Sequence, residues 1–557
     1  MSLYDQLSPE GKTLLREAHG FLRKGYDPVT HLVSVDSEGS FHIGIRESMY
    51  YALSLMILNR EWDTVEAVTR AVLALQMDAP GEVFHGAFRH SPSEPAPAAG
   101  VLDAARLGTD GRYFADLAWE RTTSRFSRLL ESRSELSGRS GEIEALLHQA
   151  LTESVPVAWD SYEPNTREFI LMCLAMLLEH EGGRLPKALT EEIARSARLG
   201  MEGAVARSLS GFTPLNTNIL CMHIFLLDYF GRRLGNEEWT ALALTYAEAM
   251  LRQYREYHAC AEFNSPTYCG VDLSTLGFVR RYSPRPELVR LADELEEGIW
   301  QDVAEFYNPA MRNFCGPYSR AYELDCAVHT CFYDLMYLGL GESLFPWHPF
   351  SVESVCNPLL LLGDVRIPEA VRPALFEDKQ DVRLRHSFRE LSERGDPRRN
   401  NALCTATGWI SPRLMTGALA GSENPSYQLH PLVIFWRSGE ALGTVSLHRC
   451  LPDGRMQHMR TVLFNGQADR NRLTMDVEAR VTRDVDVFFE ISCPGLDPEQ
   501  LRESCWTLPG LTVRLSARAP RPEIRRVDEH TLRVVYPARQ KDPASLRMHF
   551  DLEAELT

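Results

Sequence analysis

Apolar residues recur at spacings of three and four through much of the first 340 positions, as in Met49 to Leu58, Val65 to Leu75, Phe169 to Leu178, Ile219 to Phe230 and Leu242 to Leu251. That period gathers them on one helical face, or wraps a buried helix entirely, so these stretches are predicted helices. Breaker clusters lie between them: Ser91 to Pro97, Glu181-Gly182-Gly183, Gly231 to Asn236 and Tyr282 to Pro286. Neighbouring helices are therefore expected to pair as hairpins. The spacing is not a strict repeat, which disfavours a regular solenoid and fits a closed ring of unequal hairpins.

From Phe345-Pro346-Trp347-His348-Pro349 to about Asn400 the chain is irregular, and period-two patterns then take over. Pro431 to Trp436, Leu442 to Leu447, Arg472 to Val481, Val485 to Ile491, Leu511 to Ala517, Thr531 to Tyr536 and Leu546 to Leu556 mostly alternate polar and apolar residues, as strands with one core face and one wet face require. The expected fold is multidomain α and β. An incomplete or complete (α/α) toroid of helical hairpins spans 1–345, a connector 346–400, and an antiparallel β-sandwich 401–557. A chain of 557 residues exceeds the usual size of one core, in keeping with more than one domain.

Hydrophobic residues at 44% and charged residues at 24% are ordinary for a globular protein. The net charge of −17, without a Lys or Arg run, offers no footprint for nucleic acid or an anionic membrane; a polyanion is left to a locally basic cleft. Met1 to Gln6 lacks a basic leader, and no stretch reaches the ~20 apolar residues of a span. The twelve cysteines stand singly without a CxxC, which reads as reduced, packed thiols. The expectation is a soluble, cytoplasmic protein, or a secreted or periplasmic one if a signal has been removed.

Five polar segments are candidates for chemistry, because hairpin ends are where a helical scaffold presents side chains to a ligand. Glu262, Asn264, Tyr268 and Asp272 crowd the loop Ala261 to Asp272, which is either a site or a well-bonded turn. Tyr318, Arg320 and Tyr322 occupy a second loop, where Arg320 is suited to a sugar carboxylate or else pairs with Glu323 or Asp325. Asn216 and Asn218 open a helix as caps or as site amides, with His223 one to two turns in. Trp159 offers a stacking face for a sugar and Asp160 an acid, unless they only begin a capped helix. Arg46 with Glu47 starts another helix, as ligand contact or solvated pair. His85 and His90 follow in a polar stretch.

Helical hairpins followed by a sandwich, with Asn216-Thr217-Asn218, Asn264 to Tyr268 and Tyr318 to Arg320 in the loops, resemble the (α/α)-toroid carbohydrate-active enzymes, especially polysaccharide lyases of the hyaluronate, alginate and heparinoid type. The resemblance implies β-elimination beside a uronic acid. Asn216 or Asn218, helped by Arg320, would neutralise the sugar carboxylate; Tyr268 or a histidine such as His223 would take the C5 proton; and a tyrosine would protonate the leaving oxygen. The family's Asn-His dipeptide is absent, His223 following Asn218 by five residues. No cofactor or metal is implied, and a glycan or oligosaccharide is the expected partner. The alternatives are a six-hairpin glycoside hydrolase, with Glu262 and Asp272 or Asp160 as its carboxylate pair, and a non-catalytic glycan-binding protein. In each, the sandwich walls one side of the cleft, with Tyr427-Gln428-Leu429-His430 contributing a contact.

Overall fold

The computed structural model describes residues 2–37, 40–82, 84–94, 139, 141, 143, 163, 165–210, 216–327, 331–346, 357–390, 403–424, 426–456, 462–479 and 484–557. Helices α1 (Leu3–Gln6) and α2 (Pro9–Gly25) open the chain. The packing divides the chain into two compact units, Leu22–Thr213 and Met1–Phe21 with Pro214–Thr557. Helical hairpins followed by antiparallel sheets are the architecture expected, but the expected boundary at 345 does not separate them: the hairpins after Pro214 are compact with the sheets.

In the first unit a β-hairpin, β1 (Val33–Ser37) and β2 (Ser40–Gly44), leads into α3 (Ile45–Leu58) and α4 (Trp62–Leu73). α5 (Thr166–His180) packs on α3 and on α6 (Lys187–Ser210). α3 and α5 are apolar almost all round, and almost all of each is buried, as a helix without a polar face must be.

The second unit holds two long hairpins, α7 (Thr217–Leu234) with α8 (Glu237–Tyr257), and α9 (Cys269–Tyr282) with α10 (Pro286–Phe306). Gly235 takes the left-handed conformation after α7, and the Asn236 side chain accepts from the Trp239 amide, so one helix stops and the next starts within three residues. The short pair β3 (Tyr307–Asn308) and β4 (Asn313–Phe314) and helix α11 (Phe332–Leu340) complete the helical part.

Eight antiparallel strands form one sheet in the order β16 (Glu523–Arg526), β17 (Thr531–Ala538), β12 (Val485–Ser492), β9 (Ala441–Cys450), β8 (Leu432–Ser438), β7 (Leu414–Ala420), β6 (Leu403–Ile410), β5 (Val382–Arg389). The second sheet runs β10 (Val462–Asp469), β11 (Arg472–Ala479), β18 (Arg547–Leu556), β15 (Leu511–Arg518), β14 (Cys505–Leu508), β13 (Leu501–Arg502). The two pack face to face. Phe489 of the first sheet meets Trp506 and Phe550 of the second edge-on at 5.3 and 5.1 Å, and Thr407 and Thr416 bond across to Ala468 and Arg470.

β5 lies within 346–400, the range read as a connector. Its alternation Val382-Arg383-Leu384-Arg385-His386-Ser387-Phe388-Arg389 buries Leu384 and Phe388, yet its density of arginine conceals the strand because this is an edge with one wet face. Phe388 joins this edge to the helices. The Phe263 ring, from the loop between α8 and α9, stacks on it at 4.3 Å and meets Phe306 edge-on at 5.4 Å. The Lys379 ammonium, just before β5, donates to the carbonyls of Ala304, Glu305 and Tyr307 and so caps the end of α10.

Among the described residues every cysteine is a free thiol and no helix is long and apolar enough to cross a membrane.

Directly after β5, Glu390 is fully buried; it accepts from Ser422 Oγ at 2.7 Å and from the Glu423 amide, and burial pushes its carboxyl up to about 7. The folded state therefore holds a proton that the unfolded chain releases near its ordinary 4.5. Stability from this group is present below pH 4.5 and is lost as pH rises to 7, by roughly 3 kcal/mol. Urea midpoints measured from pH 4.5 to 7 are expected to fall across this window, and Glu390→Gln is expected to flatten the fall.

Candidate active site

Three chain segments are bonded together around one buried ion pair. The first, 258–268, leaves α8 through His258 in the left-handed conformation, and Asn264, also left-handed at φ +50, donates from Nδ2 to the carbonyls of Cys315 (2.6 Å) and Pro317 (3.1 Å). Ser265 Oγ donates to the Arg320 carbonyl at 2.5 Å, Thr267 Oγ1 accepts from the Tyr322 amide, and the Ser319 amide and hydroxyl both reach the Phe263 carbonyl. The second segment, 318–322, is thereby laid along the first. The third, 424–430, comes from the sandwich between β7 and β8: the Tyr318 and His430 main chains exchange hydrogen bonds, the Ala321 amide donates to the Gln428 carbonyl, and Asn424 Nδ2 donates to the Ser319 carbonyl.

Close approach of the backbone makes this possible at Gly417 of β7, where a Cβ would stand 2.0 Å from the Gly316 carbonyl oxygen. Beneath the third segment Arg449 donates to the carbonyls of Asn424 and Ser426, and His430 Nε2 lies 3.1 Å from the Ala321 carbonyl. Burial pushes both His430 and its neighbour His448 down to about 3, so the pair is neutral and serves as scaffold.

At the centre, Arg320 donates from Nη1 to Glu262 Oε1 at 2.6 Å and from Nε to Gln428 Oε1 at 2.5 Å, and its guanidinium lies 4.3 Å from the centroid of the Tyr268 ring. The Tyr268 hydroxyl points at the same Gln428 oxygen, 3.4 Å away. Glu262 uses its other oxygen to accept the Asn218 amide at 3.1 Å, while its own amide donates to Thr217 Oγ1 at 3.0 Å. A carboxylate from a distant loop thus caps α7, where free amides and the helix dipole favour negative charge. Burial would lower the guanidinium's proton affinity, but Tyr268 and Glu262 more than offset it and raise it. The Tyr268 phenol is pushed well above its ordinary value by burial, against the pull of Arg320. Tyr322, 37% exposed, stands beside it with ring centroids 6.2 Å apart, and the Asn218 Oδ1 is buried without a hydrogen bond among the described residues.

The structure thus brings together Asn218, Glu262, Tyr268, Arg320 and Tyr322 of the expected residues. It also corrects several expectations. Arg320 pairs with Glu262, 58 positions away, and not with Glu323 or Asp325. Asn216 occupies the cap position but makes no side-chain cap bond, because Glu262 has taken that role. Asn264 is the well-bonded turn, both of its donor contacts being to main chain. Tyr318 is fully buried with its hydroxyl on the Phe314 carbonyl, which removes it from contact with a ligand. His223 is fully buried against the Tyr246 ring, about 140° around α7 from Asn218 by helical geometry, so it faces a different neighbour. Asp272, one turn into α9, lines with Glu262 and Asn264 a cavity of about 40 Å³.

In the other compact unit Arg46 pairs with Glu47 at 2.8 Å and lies over the Phe169 ring at 5.3 Å, while His85 is mostly buried, accepting the Ala79 amide on Nδ1. Trp159 and Asp160 lie outside the described residues. Two residues of the cluster were not singled out from the sequence as site residues. Thr217 was hidden between two asparagines, and Gln428 was legible only as a member of the Tyr427 to His430 segment, whose expected contact with the site it makes through Arg320.

Glu262 carries the electrostatics of the whole cluster. Glu262→Ala would leave the Arg320 charge buried without its carboxylate and the Asn218 amide uncapped, which is expected to destabilise the fold by about 3–5 kcal/mol. Calorimetric melting of the variant beside the wild type checks this, and Glu262→Gln is expected to fall between them.

The family model of a domain of unknown function (DUF8769) matches residues 148–343. A comparison with curated proteins finds no match. Among solved structures the chain is similar to the heparan sulfate lyase HepC from Pedobacter heparinus, at 9% identity and a TM-score of 0.32 over 100% of this chain and 84% of that one. It is also similar to a heparinase III, at 11% identity and a TM-score of 0.29 over 69% and 68% of the two chains. A third likeness is to the chondroitin lyase ODV-E66, a baculovirus envelope protein, at 9% identity and a TM-score of 0.20 over 70% and 76%.

Proposed function

We propose that the chain is a polysaccharide or oligosaccharide lyase that cleaves beside a uronic acid by β-elimination. The observation that carries this reading is the phenol of Tyr268 held under the Arg320 guanidinium at 4.3 Å, with Glu262 and Gln428 fixing that arginine from two sides. β-Elimination needs a base for a weakly acidic carbon-bound proton, an electrophile to neutralise the adjacent carboxylate, and an acid for the leaving oxygen. Tyr268, as phenolate, takes the C5 proton; the positive charge above its ring lowers the cost of that anion. Asn218 neutralises the substrate carboxyl by donating from its amide nitrogen Nδ2, and Tyr322 at the exposed edge delivers the proton to the leaving oxygen.

The carboxylate pair that a glycoside hydrolase needs is less well supported. Glu262 is committed to Arg320 and to the Asn218 amide, and the space it shares with Asp272, about 40 Å³, suits water and not a sugar ring. In a glycan-binding protein without catalysis, the same cluster would hold a ligand unchanged.

Incubation with a panel of uronic-acid glycans is expected to raise ultraviolet absorbance in the band of unsaturated uronates, and Tyr268→Phe to lower that rate by about 10²–10⁴. New reducing ends without absorbance, lost in Glu262→Gln, would replace this reading with the hydrolase, and silence in both assays with the binding protein. The pH profile provides an independent check. Because burial holds the Tyr268 phenol above its ordinary value and the reactive form is the anion, kcat/KM is expected to climb about tenfold per pH unit through the neutral range, without a plateau below about pH 10.

A further inference from the structure

A second polar pocket of about 390 Å³ opens on the eight-stranded sheet, on the face away from the sandwich core. Side chains alternate along β12, so Phe489 enters the core while Phe488 faces outward, in register with Val535 of β17 and His448 of β9. Cys450, Phe488 and Val535 form a buried apolar cluster beneath the pocket, and Arg525 and Arg533 rise over it. The volume is that of a small-ligand site.

Arg525 and Arg533 stand directly opposite each other on β16 and β17, where like charges repel. Carboxylates hold each in place without using all its donors. Arg533 engages Glu490 through Nε at 2.8 Å and lies over the Phe488 ring at 4.5 Å, so its two terminal nitrogens make no hydrogen bond among the described residues. Arg525 engages Asp486 and Glu523 through its terminal nitrogens and leaves Nε free in the same sense. Arg526, in register with the core-facing Leu532, projects to the other face of β16 and bonds to the carbonyls of Leu496, Asp528 and Glu529.

We propose that this pocket binds an oxyanion carried on a compact ring: a carboxylate or a sulfate ester of a sugar whose charge meets the free donors of Arg533 and Arg525. Planar guanidinium groups with paired donors suit both anions, and a volume of about 390 Å³ accommodates a sugar ring along with its charge, which favours such a ligand over a bare ion. The site is separate from the Tyr268 cluster and stands whether or not that cluster performs elimination.

The test titrates the full chain with glucuronate, glucose 6-sulfate, inorganic sulfate and, as a neutral control, glucose, by calorimetry. Saturable binding of at least one charged sugar, tighter than inorganic sulfate and absent for glucose, is expected, and the stronger of the two charged sugars identifies the anion. Arg533→Gln is expected to weaken that binding about tenfold or more. Arg533→Lys, which keeps a cation for Glu490 but has no planar fork of donors, is expected to weaken it as well and decides the matter if Arg533→Gln fails to fold. Binding of no charged sugar, equal binding by wild type and both variants, or equal binding of glucose would overturn the proposal. Elimination assays on the same variants are expected to be unchanged, so failure here is distinct from failure of the lyase reading.

Discussion

A single carboxylate, that of Glu262, ties together the parts on which the candidate site depends. One of its oxygens neutralises Arg320 and the other satisfies a free amide at the start of α7. Both partners are buried or nearly so, and in such a place a charge without a counter-charge costs several kcal/mol. The ion pair is therefore a condition of the local fold and not an ornament upon it. Because Arg320 in turn reaches Gln428 and covers Tyr268, the loop after α8, the loop after β4 and the segment between β7 and β8 can only close together.

This arrangement gives the sandwich a direct part in the site. Gln428 comes from the sheet's side of the unit, and the main-chain bonds between Tyr318 and His430 extend the sheet's influence to the residues flanking Arg320. Phe263 stacked on Phe388, and Lys379 capping α10, fasten the helical side to β5 in the same unit. A rigid mount of this kind is what a proton-transfer site needs, since a displacement of about 1 Å between reacting groups can cost orders of magnitude in rate.

Burial tunes the titratable groups in opposite directions according to their charge. It raises Tyr268 and Glu390 and lowers His430 and His448, because in each case the neutral form is favoured away from water. Of these four, Tyr268 is the one at which a fixed positive charge opposes that trend, and there the opposition is aimed at the anion the proposed chemistry requires. The second arginine group, on the outer face of the sheet, obeys another rule: its carboxylates hold the guanidinium groups in place while leaving donors unspent.

Helices and strands were legible because their periods, three to four and two, are properties of local sequence; the alternation from Arg472 and the apolar stretch from Ile219 both became the elements they predict. The loops holding Glu262, Tyr268 and Arg320 were legible too, as clusters of hydrogen-bonding side chains beyond what a turn consumes. Pairing was not. Nothing near Arg320 in sequence indicates that its partner is 58 positions earlier and its second acceptor 108 positions later; the carboxylates close to it in the chain are Glu323 and Asp325. Likewise β5 hid its strand among arginines, and Tyr318 and His223, polar enough to suggest a site, were claimed by the core. The sequence by itself determined the secondary elements and the stock of reactive groups. Which of those groups meet, and which are buried as scaffold, was decided by tertiary structure, since contacts over such separations depend on how whole elements pack and not on any local pattern.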